Sequence, residues 1–165
     1  MSLPLGGSDP AWGQVFLASL ARAHAEMEDE EAAEQEFARA AEADPTFGPA
    51  QNEYAIFLTE REKNLQKAVE IAKRAVASAA NNHYYRDTLG WAYYKLGRLE
   101  EALVQLQRAK ELDENDPEVQ YHLGAVQEAL GNNAEAKASY EVSLRLLPSF
   151  TPSLEALTSL KEKTE

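Results

Sequence analysis

With 165 residues, 44% of them hydrophobic and 27% charged, the chain has the length and makeup of one water-soluble folded unit. A net charge of −12 argues against nucleic acid, whose binding needs lysine and arginine gathered on one face, and disfavours anionic membrane surfaces. The absence of cysteine removes disulfides, thiolate nucleophiles and cysteine-held zinc or iron–sulfur centres, which fits a reducing compartment without demanding one.

Residues 1–10 carry Pro4, Gly6, Gly7 and Pro10 with little to bury and read as a flexible lead; residues 11–165 read as a single domain. The opening MSLPLGGSDP lacks the basic segment and apolar core of a signal peptide, and no run approaches the roughly 18 apolar residues of a membrane span. A cytoplasmic location is the expectation. Met1–Leu3 resembles a vector-derived start, so a periplasmic or membrane-tethered location follows if a native signal once stood there.

From Ala11 to Met27, the residues Trp12, Phe16, Leu20, Ala23 and Met27 recur at three- and four-residue spacing and predict a first helix. Asp29 is placed to cap a second, running to about Ala43 with Ala33, Phe37, Ala40 and Ala41 inward, and Asp44-Pro45 ends it. The next pair begins near Gly48, with Tyr54, Ala55 and Leu58 on its first helix and Ala68, Ala72 and Ala75 on its second. Its internal link, Glu60 to Asn64, is one residue longer than the others. Asn81-Asn82 precedes a helix from about His83 to Leu96, Gly97-Arg98 turns the chain, and a partner helix spans about Leu99 to Leu112. Asp116-Pro117 opens the next pair, turned at Gly131-Asn132 and closed by Pro148. Thr151 to about Lys163 supplies one more helix, with Leu154, Leu157 and Leu160 expected on its buried stripe, as a cap for the array.

These pairs repeat. Leu89, Gly90, Gly97, Ala102 and Leu112 return 34 residues later as Leu123, Gly124, Gly131, Ala136 and Leu146, a period that marks stacked helical units. Units fall at about 14–47, 48–82, 83–116 and 117–150, with the cap at 151–163. Glycine inside a helix costs about 1 kcal/mol relative to alanine, so Gly90 and Gly124 at one phase imply close helix crossings against Ala102 and Ala136. Leu89, Tyr93, Leu106 and Ala109, with Leu123, Tyr140 and Leu144, fill the space between. Replacing Gly90 by leucine is expected to be among the most disruptive changes.

With these residues in place, the units resemble tetratricopeptide repeats, over about residues 11 to 163. The family pattern asks for a large residue at position four, Leu-Gly at seven and eight, an aromatic at eleven, Ala at twenty, an aromatic at twenty-four, Ala at twenty-seven and Pro at thirty-two. Unit three supplies Leu89, Gly90, Tyr93, Ala102 and Ala109 but has Arg86, Leu106 and Glu114 elsewhere. Unit four supplies Leu123, Gly124, Ala136, Tyr140 and Pro148 but has Gln120, Gln127 and Ser143. Units one and two keep Leu20, Ala33, Phe37, Ala40 and Pro45, then Ala55, Ala68 and Ala75. The wording DTLGWAYYKLGRLEEAL resembles bacterial members.

The resemblance implies an all-α, right-handed α-solenoid acting as a non-enzymatic scaffold, with a peptide or protein segment bound in the concave groove lined by the first helix of each unit. By phase, Tyr84, Asp87, Thr88, Trp91, Tyr94 and Lys95 of unit three face that groove, with Glu118, Tyr121, His122 and Glu128 of unit four, Asn52, Glu53 and Thr59 of unit two, and Arg22 of unit one. The contacts are expected from Tyr84, Asp87, Trp91, Tyr94, Lys95, Tyr121, His122 and Asn52, since tyrosine and tryptophan combine large area with a polar handle; packing between neighbouring helices is the competing role for each ring.

The carboxylate clamp of chaperone-binding relatives is not reproduced. Its positions hold Ala18, Arg22, Glu53, Tyr84 and Thr88, or Asn52, Ile56, Thr88, Glu118 and His122, and the acidic members would repel a terminal carboxylate. The seven acids between Glu26 and Glu36 read as a solvated face, and Lys63, Lys67, Lys73 and Arg74 as their counterbalance. His24, His83 and His122 are isolated in sequence, no His-Glu-x-x-His helix or phosphate loop exists, and no catalytic, cofactor or metal site is expected. A monomer or weak homo-oligomer is expected; the alternative to groove binding is an assembly element whose end helices stack on another copy or on further parts of a longer multi-repeat chain.

Overall fold

The computed structural model describes Arg22 and residues 29–164. The predicted lead, the first predicted helix with Trp12, Phe16, Leu20 and Met27, and His24 lie outside the described residues. Among those described, the chain forms eight helices and no strand: α1 (Glu30–Ala43), α2 (Gly48–Glu60), α3 (Leu65–Ser78), α4 (His83–Lys95), α5 (Leu99–Leu112), α6 (Pro117–Ala129), α7 (Asn133–Leu146) and α8 (Thr151–Thr164). None is long and apolar enough to cross a membrane.

Local chemistry sets the helix ends. Side-chain oxygens of Asp29, Asn64, Asn82 and Asp116 accept hydrogen bonds from the backbone N–H groups of Ala32, Lys67, Tyr85 and Val119, occupying donors that the first turn leaves without partners. Within units three and four the turn is three residues long, and its middle residue is Gly97 (φ +81°) or Gly131 (φ +82°), in a left-handed conformation that favours glycine. The α2–α3 link has the extra residue expected of it, and reverses instead through Glu62 (φ 51°) and Asn64 (φ 43°).

Each helix packs on the next, and α2, α4, α6 and α8 also touch in succession, whereas α3, α5 and α7 do not touch one another. The array therefore curves with α2, α4, α6 and α8 on its inner side. Phe37 of α1 stands 5.1 Å from Phe57 and 6.4 Å from Tyr54, joining α1 to the core that Leu58, Val69, Leu89 and Leu106 continue. The glycine crossings are as close as their phase implies. A Cβ on Gly90 would lie 2.6 Å from Leu106 Cγ, and one on Gly124 would lie 2.6 Å from Tyr140 Cε1.

Departures from the repeat pattern turn out to carry hydrogen bonds between units. At position four, Gln51 Nε2 donates to Ala41 O (2.6 Å), Arg86 Nε to Ala80 O (2.8 Å) and Gln120 Nε2 to Glu114 O (3.1 Å), so each polar side chain satisfies a carbonyl at the end of the preceding unit. Ser143, where alanine is usual, donates to Pro117 O (2.7 Å) and accepts from the Ser153 hydroxyl (2.8 Å). Gln127, where an aromatic is usual, accepts from Ser139 (2.7 Å).

The last helix corrects the expected stripe. Ser153 and Leu160 are buried, with Ala156 and Leu157 packed beside Tyr140, but Leu154 is 56% exposed. Residues 153, 156, 157 and 160 share one face at helical spacing, and the Ser153–Ser143 hydrogen bond fixes that face inward, which turns Leu154 out. Leu154→Glu should therefore change stability by no more than about 0.5 kcal/mol, whereas Leu160→Ala should cost about 2 kcal/mol or more; a thermal melt of each variant checks the contrast.

Candidate functional site

The inner helices α2, α4 and α6 enclose a cleft of about 540 Å³. Its lining follows the repeat phase. Position two contributes Pro49, Tyr84 and Glu118; position five, Asn52 and Asp87; position six, Glu53, Thr88 and His122. Ile56, Trp91, Thr59 and Glu60 continue the same faces toward the helix C-termini.

Of the residues expected to make contacts, Asn52, Tyr84, Asp87, Trp91 and His122 come together here, and Tyr94, Lys95 and Tyr121 do not line the cleft. Tyr94 stacks on Trp91 (4.7 Å, 17° between planes), and Lys95 Nζ sits 5.6 Å from the Trp91 ring while holding Glu62 at 2.8 Å. Tyr121 faces α7 and α8, 6.0 Å from Tyr140 and 5.7 Å edge-on from Phe150. Glu128, also expected in the groove, accepts from the Tyr140 hydroxyl (2.9 Å) and pairs with Lys163 of α8 (2.8 Å). The cap thus occupies the place that a fifth inner helix would take, and unit four's groove face beyond His122 is spent on it.

Glu60, Ile56 and Pro49 share the phase of the expected residues, so the same rule could have found them. Asn82 and Tyr85 could not be found that way: Asn82 is the cap of α4, and Tyr85 reaches the cleft from a position outside the phase rule, with burial pushing its hydroxyl up from the usual tyrosine range.

At the centre, the histidine that is isolated in sequence is not isolated in space. His122 Nδ1 lies 2.9 and 3.0 Å from the two oxygens of Asp87, and its ring stacks 4.0 Å from Trp91 at 19°. Burial disfavours the imidazolium, but the Asp87 charge and hydrogen bond, with Glu118 and Asp116, outweigh it and hold the His122 pKa above the usual histidine value. Glu118 keeps its side chain partly in solvent, yet withdrawal from water raises its carboxyl above the ordinary range; His122 opposes this, and Asp87, Asp116 and Glu60 add to it. His83 stands near Asp113 (3.7 Å) and Asp116 (3.6 Å), and its ring lies 3.8 Å from that of Tyr84 with the planes tilted by 39°. Among the described residues no group of histidines and carboxylates is arranged to hold a metal ion.

The acidic and basic faces of the first units also meet. Glu30 pairs with Lys63 (2.8 Å) and Arg61 (3.1 Å), which assigns Lys63 to balancing its acidic neighbour.

Comparison with known families gives matches to a TPR repeat over residues 90–131 and to a tetratricopeptide repeat over 16–47 and 117–149. The chain belongs to the tetratricopeptide repeat family. Solved structures similar to this repeat protein include PilF of Pseudomonas aeruginosa (25% identity, TM-score 0.80, covering 94% of this chain and 70% of that one). MamA from Desulfovibrio magneticus RS-1 aligns at 21% identity and TM-score 0.71 over 83% of this chain and 77% of its own. The first tetratricopeptide domain of human RPAP3 aligns at 20% and 0.67 over 72% and 93%. No curated protein sequence matches the chain. The family is typically a non-catalytic interaction fold, and the likeness to MamA and RPAP3 bears on the fold alone.

Proposed function

We propose that the protein is an interaction module that holds an extended segment of a partner protein across α2, α4 and α6. The observation carrying this reading is surface left over from packing: Tyr84 is 60% exposed at the mouth of the cleft, and Asn52, which lines it, has a side-chain oxygen without a hydrogen-bond partner. Tyr84 touches its neighbour His83 but leaves most of its surface to solvent, and the acceptor of Asn52 is buried and unanswered; a ligand apolar side chain and backbone N–H would complete both.

Peptides selected on the protein from a random display library should lose at least about tenfold in affinity, roughly 1.4 kcal/mol, against the Asn52→Ala/Tyr84→Ala double variant, with the melt unchanged. Peptides held equally by parent and variant would place the interface elsewhere.

A second reading, self-association through the C-terminal end, is favoured by the exposed Leu146, Leu147 and Leu154 around the α7–α8 junction. Light scattering on a size-exclusion column separates the two: a concentration-dependent dimer lost in Leu154→Glu supports stacking, and a monomer that captures peptides supports the cleft.

A further inference from the structure

The cleft's charge is more specific than its shape. Glu53, Glu60, Asp87 and Glu118 line it, and among the described residues no lysine or arginine does. Two of these carboxylates are answered, Glu53 by Arg22 at 3.6 Å and Asp87 by His122 at 2.9 Å. Glu60 and Glu118 have no ion-pair partner among the described residues, and the charge of Glu60 bears unfavourably on Glu118. Charges of one sign walled by protein focus the field and draw in a counter-charge. Asn52 adds an independent sign of what is wanted: it is 9% exposed, and its Oδ1 accepts from nothing, so a donor is missing from the cleft.

Resting on the cleft as the binding surface, we infer that the site recognises a lysine or arginine side chain within an extended peptide, whose cationic head is received by the carboxylates of Glu60 and Glu118. The aliphatic stem of such a residue lies along Ile56 and Tyr84, which gives its methylenes apolar surface while its head keeps polar partners. The face of Trp91 is not the seat of the cation, because His122, Tyr94 and Lys95 already crowd that ring. An acidic peptide meets repulsion from the same groups that attract a basic one.

The test is fluorescence anisotropy with acetylated, amidated peptide pools that differ only at a central lysine, arginine, leucine or glutamate. Acetylation removes the terminal amine, so any cation felt is the side chain, and the lysine and arginine arms separate those two sources. The lysine or arginine pool should bind at least about tenfold more tightly than the leucine pool, with the advantage shrinking as salt rises. Glu60→Gln/Glu118→Gln, both at exposed positions, should erase the advantage, so that the basic pools bind this variant no more tightly than the leucine pool does. A leucine or glutamate pool binding as tightly as the basic ones, or a preference that survives the double variant, overturns the charge selection while the cleft reading stands if Asn52→Ala/Tyr84→Ala still abolishes capture. Capture that ignores Asn52→Ala/Tyr84→Ala, or binding by no pool at all, overturns the cleft itself.

Discussion

Gly124→Leu should lower the melting temperature by roughly 10 °C or leave the C-terminal units unfolded, and Gly90→Leu should act in the same direction. At Gly124 even a Cβ would approach Tyr140 Cε1 and Cδ1 to 2.6 and 2.7 Å, with Ala136 O at 3.2 Å behind them. Tyr140 is 1% exposed and its hydroxyl is bound to Glu128, so the ring has no room to retreat. A better helix former returns about 1 kcal/mol, but overpacking a filled crossing costs about 1–3 kcal/mol for a few added atoms and more for a whole leucine. A net loss of about 3 kcal/mol converts to the stated shift at roughly 2–4 °C per kcal/mol for a chain of this size. At Gly90 the first obstacle is Leu106, whose side chain has more rotamers than a ring, so its variant should be the milder of the two. A Gly124→Leu melt within 3 °C or so of the parent would mean that α6 and α7 can part there at little cost, contrary to this packing.

Asp87→Asn should destabilise the protein by about 2 kcal/mol at pH 5.5, the scale of a hydrogen bond between charged groups, and by clearly less at pH 9. His122 has a raised pKa in the folded state, so its charged form contributes stability that is complete below the unfolded value of about 6.5 and is lost as pH rises through the folded value. The groups facing it are Asp87 from α4, Glu118 from its own helix and Asp116 from the cap of that helix. Asparagine removes the largest of the favourable influences and leaves burial, which opposes the charge. The parent's advantage is therefore greatest in mild acid and narrows in base. Melts of both proteins across that range decide it, and a gap that does not change with pH would show that Asp87 does not shift the titration of the imidazole.

The fold was legible in the residues that repeat, because close packing admits few substitutes: Gly90, Gly124, Ala102 and Ala136 sit at crossings where the separation itself excludes larger side chains. The cap at Asp29 was legible for a related reason, since few side chains can accept from the first-turn N–H groups. The face of α8 was not. Leucines at 154, 157 and 160 satisfy a helical stripe as well as 153, 156, 157 and 160 do, and the choice was made by one serine hydroxyl meeting another across ten residues of sequence. The site was half legible. Phase placed Asn52, Tyr84, Asp87, Trp91 and His122 on the inner side, but it could not say that Tyr121, beside Trp91 and His122, would also pack on Tyr140 and Phe150, or that Asp87 would take His122 as its partner. Those outcomes depend on contacts between units, which no single unit encodes.

The contact of α2 with α4 and of α4 with α6 also acts as a ruler. Helices packed side by side stand about 8–10 Å apart, so the three inner helices span about 20 Å, and a fully stretched chain advancing about 3.3 Å per residue crosses them in about six residues. With α8 seated after α6, the footprint across these three helices is closed at its C-terminal end. On the proposed reading, a recognition element that short draws its selectivity from one or two side chains, and a ligand presenting it in several copies would gain its hold by avidity instead of by a single tight contact.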